Sequence, residues 1–249
     1  MNIDELLSQY ADGERDFGAI NLQSANLTGL ELRGANLSEA KLSGTQLRGA
    51  NLSEANLSGA NLSSAQLSYT NLCQANLSGA DLSNANLENA DLSKANLSRA
   101  KLPTHLSGVN LSEVDLIGVN LSKVNLSRAK LLKTDLSKAT LSEANLNEAN
   151  LSEANLSRAN LRSAQLTNTR LKGANLREAN LAGANLQQAD LSEVNLIKAN
   201  LGGVNLNGAN LTNADLSEAR LRGAQFVKPD QLNKAILTGT EMPNGTIHE

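Results

Sequence analysis

Tryptophan is absent from this 249-residue chain, and tyrosine and phenylalanine number two each. Hydrophobic residues nevertheless make up 40%, nearly all of them alanine and leucine. A globular core of that size leans on large aromatics, so the apolar material must be arranged more uniformly. Cysteine occurs once, at Cys73, which excludes an internal disulfide and a cysteine-based metal cluster and fits a reducing compartment. Charge of one sign is not in excess: 22 basic and 25 acidic residues leave a net charge of -3. A nucleic-acid binder shows a basic surplus, and none appears. No apolar run approaches the roughly 18 residues of a membrane span, and the opening stretch lacks a charged-then-apolar signal pattern. These absences predict a soluble, cytoplasmic protein with no membrane partner and no direct contact with nucleic acid.

Groups for chemistry are equally scarce. His105 and His248 are the only histidines, and neither has a cysteine, a second histidine or a carboxylate at a ligand or triad spacing. Cys73 has no activating Lys, Arg or His beside it and reads as an ordinary surface thiol. The serines that follow many leucines reflect turn chemistry rather than a set of nucleophiles. The sequence predicts no catalytic residue, no metal site and no cofactor.

What the chain has is a period of five. From Leu22 every fifth residue is leucine as far as Leu102; after a one-residue slip the step resumes at Leu106 and runs to Leu221 and Phe226. That makes 17 centres before the slip and 25 after it, and Phe17 falls one step before the first. On an α-helix a five-residue step scatters the leucines around the axis. In a continuous strand, odd spacing throws them onto alternate faces. Within a unit such as Ala50-Asn51-Leu52-Ser53-Glu54, the small residue and the leucine are two apart and point the same way, with asparagine pointing out. The last two residues must turn the chain, and 13 units place glycine at the second of them, where a corner of positive φ favours it. Each unit is then one side of a polygon, with leucine and alanine inside.

The tandem pattern A-(N/D)-L-x-x, as in "ADLSNANLENADLSKANL", resembles the pentapeptide-repeat family over about residues 16–226. The resemblance implies an all-β fold, a right-handed quadrilateral β-helix with twenty residues per coil. At the four units per coil that the resemblance implies, the 42 units make about ten coils. Both ends resemble those of cyanobacterial members.

Residues 1–15 are predicted to form a short helical cap, with Leu6, Leu7 and Tyr10 on its apolar face and Gly13 as its stop. Residues 227–249 form a C-terminal cap or tail: "PDQLNKA" suits a helical turn, while Leu237, Met242 and Ile247 restore the five-step of a further coil. The register slip at 102–106 centres on Pro103, Thr104 and His105, and valine then takes the small interior place at Val109, Val114, Val119 and Val124. This is expected to fill a cross-section altered by the deletion. Lys123, Arg128 and Lys133 precede Glu143, Glu148 and Glu153 by twenty residues, which suits stacked opposite charges on four-sided coils.

The predicted function is a non-enzymatic rigid scaffold for an unidentified protein partner. Candidate contacts are Pro103, Thr104 and His105 at the slip, and Ile117 and Leu132, which break the polar surface. The resemblance also raises DNA mimicry, as in members that protect DNA gyrase, but the position before leucine is asparagine in 24 units and aspartate in six. A neutral column supplies no phosphate-like field. A lattice- or surface-binding rod is a further reading, weakened by charges and glycines on every face. A monomer and an end-to-end dimer remain open.

Overall fold

The computed structural model describes residues 2–232 and 234–249; Met1 and Asn233, which fall in the predicted N-terminal and C-terminal caps, lie outside the described residues. The chain forms two compact units, Met1–Asp115 and Leu116–Glu249. In each, isolated parallel bridges join residues twenty apart, such as Asn56 to Asn76 in the first and Asn155 to Asn175 in the second. Twenty residues are four five-residue units, so a coil has four sides and each place in the repeat stacks on itself.

The backbone of one unit explains both the shape and the motif. Leu156 N–H donates to the Asn175 carbonyl at 2.7 Å and Arg158 N–H to the Arg177 carbonyl at 2.9 Å, both in the next coil. Asn155 N–H donates back to the Thr134 carbonyl at 3.0 Å, and Ala159 N–H closes a turn on the Leu156 carbonyl at 3.0 Å. Arg158, third in that turn, has φ +59°, the sign a type II turn requires there. The remaining amide, that of Ser157, donates to the side-chain oxygen of Asn155 at 3.2 Å. Asparagine or aspartate before the leucine thus accepts the one N–H that the coil backbone leaves over. Glycine is favoured at the corner without being required: Glu153 and Lys198 hold φ +58° and +61° there. Turns occupy most of each unit, so the β-helix consists of single bridges and corners rather than extended strands.

The leucines and small residues line the inside. Leu52, Ala55 and Leu57 in the first unit and Leu151, Ala154 and Leu156 in the second are fully buried, and Phe17 also takes an interior place. Burying each leucine is worth roughly 1.5–3 kcal/mol against exposure. Threonine fits the small interior position because its hydroxyl finds a carbonyl one coil back: Thr70 donates to Leu47 at 2.7 Å and Thr169 to Leu146 at 2.9 Å. No buried side-chain nitrogen or oxygen among the described residues lacks a partner.

Helix α1 (Ile3–Ala11) begins with a reciprocal capping box between Asn2 and Glu5, both bonds 2.9 Å. Its Leu6 is fully buried, while Leu7 and Tyr10 are half-buried. The Tyr10 hydroxyl donates to the Arg33 carbonyl at 2.9 Å, and the Arg15 guanidinium lies 3.9 Å from the Tyr10 ring centre. Gly13, with φ +98°, turns the chain after the helix.

Two irregularities interrupt the register. At the slip, the N–H to carbonyl offset falls from nineteen residues (Leu82 to Lys101) to eighteen (Asn89 to Ser107), as one missing residue requires. Val109 and Val114 are buried in the first unit; Val124 is buried and Val119 half-buried in the second. Val194 and Val204 are buried in ordinary coils, so the interior takes valine without a deletion as well.

The second irregularity inserts a residue: Leu216 N–H donates to the Ile236 carbonyl, twenty residues on instead of nineteen. Phe226, expected inside, is 57% exposed. Its φ of +58° turns the chain where a leucine would lie extended, and the ring swings outward. Pro229–Leu232 form one 3-10 turn, and the coil then resumes with Asp215 bridged to Ile236 and Arg220 to Glu241. The C-terminus then reverses, with Glu241 and Ile247 in an antiparallel bridge. Ile247 is therefore 61% exposed and not a further interior centre.

Candidate partner-binding surface

With leucine and alanine packed inside, the chemically varied side chains stand on the outer faces. Each exposes three positions per coil: the residue before the leucine and the two after it. The Asn/Asp column is itself tied coil to coil. Asn155 Nδ2 donates to both carboxylate oxygens of Asp135 at 3.1 Å, and Asn175 Nδ2 donates to the Asn155 side-chain oxygen at 3.2 Å. At Asp135 burial pushes the carboxyl pKa up, but bonds from the Ser137 amide and hydroxyl and from Asn155 outweigh it, and the net shift is downward. Asp81 goes further, down to about 2, held by the Ser83 hydroxyl and amide and by the Lys101 ammonium.

Ion pairs join neighbouring coils at three successive corners. Lys123 meets Glu143 at 3.6 Å, Arg128 meets Glu148 at 3.0 Å and Lys133 meets Glu153 at 3.6 Å, each twenty residues apart. The alternative offset of fifteen is not used. Arg158 bonds Glu178 at 2.8 Å and thereby lowers its pKa.

The contact candidates divide between the units. Pro103 is buried, because removal of a residue turns it inward while Leu102 becomes only half-buried. It therefore offers no side chain to a partner. Thr104 and His105 are exposed and bonded to each other, Oγ1 to Nδ1, at 3.1 Å. In the second unit Ile117 is 54% exposed and Leu132 half-buried. By the register they occupy adjoining sides of the coil rather than one surface. Charges and glycines interrupt this unit's faces at intervals, with the Arg128–Glu148 pair and Gly208 bounding one longer polar stretch. One side of the second unit shows only amides and a hydroxyl from Gln165 through Thr167, Asn185 and Gln187 to Asn207.

The sequence reading missed Tyr69. It sits at a corner with φ +61°, is 56% exposed, and has the Arg48 guanidinium 5.6 Å from its ring centre. Gly49 lies beneath it in the column, with nothing within 4 Å of where a Cβ would stand, so the ring overhangs open space. Tyr69, Arg48 and His105 share one side of the first unit, since Gln46, Gln66, Asn86 and His105 are successive places before the leucine. A lone tyrosine in a corner column of polar residues was the available signal.

No helix of the described residues is long and apolar enough to cross a membrane. Nor do they gather three or more His, Cys, Asp or Glu side chains that could hold a metal ion. A four-sided coil with a closed aliphatic interior and chemically varied faces defines a repeat protein that presents its surface. The chain belongs to the pentapeptide-repeat family: the model for pentapeptide repeats matches eight times between residues 16 and 228. No functionally curated protein matches it.

Among solved structures it is similar to HetL, a pentapeptide repeat protein involved in heterocyst differentiation regulation from the cyanobacterium Nostoc sp. strain PCC 7120. Identity is 38% over the whole of both chains, with a TM-score of 0.46. It is 31% identical to Rfr23 from the cyanobacterium Cyanothece 51142, covering 53% of this chain and 90% of that one, with a TM-score of 0.36. QnrB1, a plasmid-mediated fluoroquinolone resistance protein, is 18% identical over 91% of each chain, with a TM-score of 0.31.

Proposed function

We propose that this protein is a non-enzymatic, cytoplasmic scaffold, a right-handed winding of about ten coils that binds a partner protein through one exposed side and acts in regulation. The observation that carries the reading is the Arg48–Tyr69 pair. Tyrosine and arginine dominate the energetic centres of protein interfaces, and a desolvated cation–π contact of this kind gains strength, reaching about 2 kcal/mol. Thr104 and His105 extend the same side. Similarity to HetL along the whole chain supports a regulatory role in a cyanobacterium. DNA mimicry draws no support from the aspartates: in the second unit, Asp135 and Asp215 share a column but are separated by Asn155, Asn175 and Asn195.

The test is affinity capture of the tagged protein from its host, repeated with Tyr69→Ala, with Arg48→Ala, and with residues 103–105 replaced by a regular unit. Loss of a captured protein in the first two variants supports this surface. An unchanged partner list in all three would remove it.

A further inference from the structure

Arg162, Arg220 and Arg222 stand exposed on one side of the second unit. Arg162 and Arg222 hold the same place in the repeat three coils apart, with Ala182 and Gly202 between them. Arg220 follows Asn160, Asn180 and Asn200 in the neighbouring column. None of the three joins an ion pair among the described residues, whereas the nearby Arg158 and Lys198 are tied to Glu178 and Glu218. From residue 160 to 223 this side carries no carboxylate. The acidic groups at its borders are Glu178 and Glu218, held by Arg158 and Lys198 in the adjoining corner column, Glu143, which pairs with Lys123 at 3.6 Å, and Glu241, whose backbone bridges Arg220. Because Ala182, Gly183 and Gly202 replace longer side chains, the side sinks into a trough of about 380 Å³, edged by Arg162 and Asn180.

Arg220 is the telling residue. In the coil below, the Asn200 oxygen accepts the Gly202 N–H at 3.0 Å, the bond for which asparagine is used throughout the repeat. Arginine has no acceptor to give, so at Arg220 the coil forgoes that bond without gaining an ion pair. Lys130 and Arg170 break the same rule on another side of this unit. At Arg220 the break falls beside two further arginines without ion pairs, on a side without carboxylates, and that conjunction points to a role outside the fold.

We propose that this trough binds an acidic, extended polypeptide segment running along the coil axis. Three coil steps of about 4.8 Å place Arg162 and Arg222 about 14 Å apart, the span of four residues of extended chain at about 3.4 Å each. Carboxylates four residues apart in the partner would reach one arginine at each end, while the small floor admits the backbone between them. Guanidinium forks suit carboxylates in two-bond geometry. Three cations are too few for the run of phosphates on which nucleic-acid affinity rests, and this side offers no aromatic ring for base stacking. This surface is distinct from the Arg48–Tyr69 side and stands or falls without it.

The test uses the full chain and a fluorescein-labelled peptide with two glutamates four residues apart in a serine–threonine background, followed by fluorescence anisotropy. Saturable binding that weakens as salt rises is expected. Arg162→Gln with Arg222→Gln should weaken it about tenfold or more. Arg220→Asn separates fold from function: it restores the column bond, so thermal stability should hold or rise while affinity falls several-fold. Binding unchanged in Arg220→Asn, equal affinity for the lysine version of the peptide, or no saturation at about millimolar protein would overturn the proposal. Tighter binding of a thymidine oligonucleotide would overturn it in favour of nucleic acid.

Discussion

The side-chain amide of Gln231 bonds the backbone carbonyl of Ala209 at 2.9 Å. In a regular coil that carbonyl takes a backbone N–H from the coil above, as Ala199 does from Arg220. The extra residue after Phe226 removes the donor, and glutamine replaces it, also reaching the Leu206 carbonyl at 2.8 Å. Gln231→Met should leave a carbonyl without a partner and cost about 1–3 kcal/mol. Amide hydrogen exchange is the suitable measurement. Protection should drop at Leu216 and Leu221, which donate to the Ile236 and Glu241 carbonyls of the last coil, and stay unchanged in the first unit. Unaltered protection at those leucines would mean the 3-10 turn holds itself.

The stacked ion pairs invite the opposite expectation. Arg128 and Glu148 meet at 3.0 Å, but both side chains are more than half exposed to solvent. Exposed pairs of this type contribute about 0.2–1 kcal/mol, because water competes and long side chains lose freedom. Glu148→Gln should therefore shift the urea midpoint only slightly, with the difference shrinking further in salt. A loss well above 1 kcal/mol would show that the column acts as a network.

Much of this fold can be read from letters alone because one constraint repeats. Leu151, Leu156 and Leu161 can all be buried only if the chain turns every five residues, and Lys123, Arg128 and Lys133 with their glutamates are consistent with a four-sided coil. Departures from the repeat were harder to read, since periodicity says nothing about a residue that breaks it. Pro103 looks like a surface loop residue but turns inward when a residue is missing, and Phe226 keeps the spacing while its own φ throws it out. Tyr69 was overlooked because corners are polar almost everywhere, and the hidden role of asparagine as an amide acceptor requires coordinates.

That role is open to direct test at Asn155. Its oxygen accepts from Ser157 N–H at 3.2 Å and from Asn175 Nδ2 at 3.2 Å, while its own Nδ2 serves Asp135. Asn155→Leu removes all of these and should cost about 1–3 kcal/mol in urea unfolding. Asn155→Asp keeps the acceptors but sets a second carboxylate above Asp135. It should be destabilising at neutral pH and recover as acid protonates one of the two. If the leucine variant is as stable as the parent, side-chain capping of the fifth amide is not what selects asparagine.

Acid should expose the special position of Asp81. The Ser83 hydroxyl and amide and Lys101, whose Nζ lies 3.1 Å from the Asp81 carboxylate, lower its pKa to about 2. In the unfolded chain an aspartate titrates at about 3.9. A carboxyl whose folded pKa is depressed stabilises the fold above the unfolded value and loses that contribution as pH falls toward the folded one. Between about pH 4 and pH 2 the first unit should weaken, and the Asp81→Asn variant should weaken less steeply, because asparagine keeps the acceptor for Ser83 but carries no titrating group. Chemical denaturation of both proteins at steps across that range is the measurement. Parallel stability curves would mean that Lys101 and Ser83 favour the ionised and neutral forms equally, and that the downward shift is absent in solution.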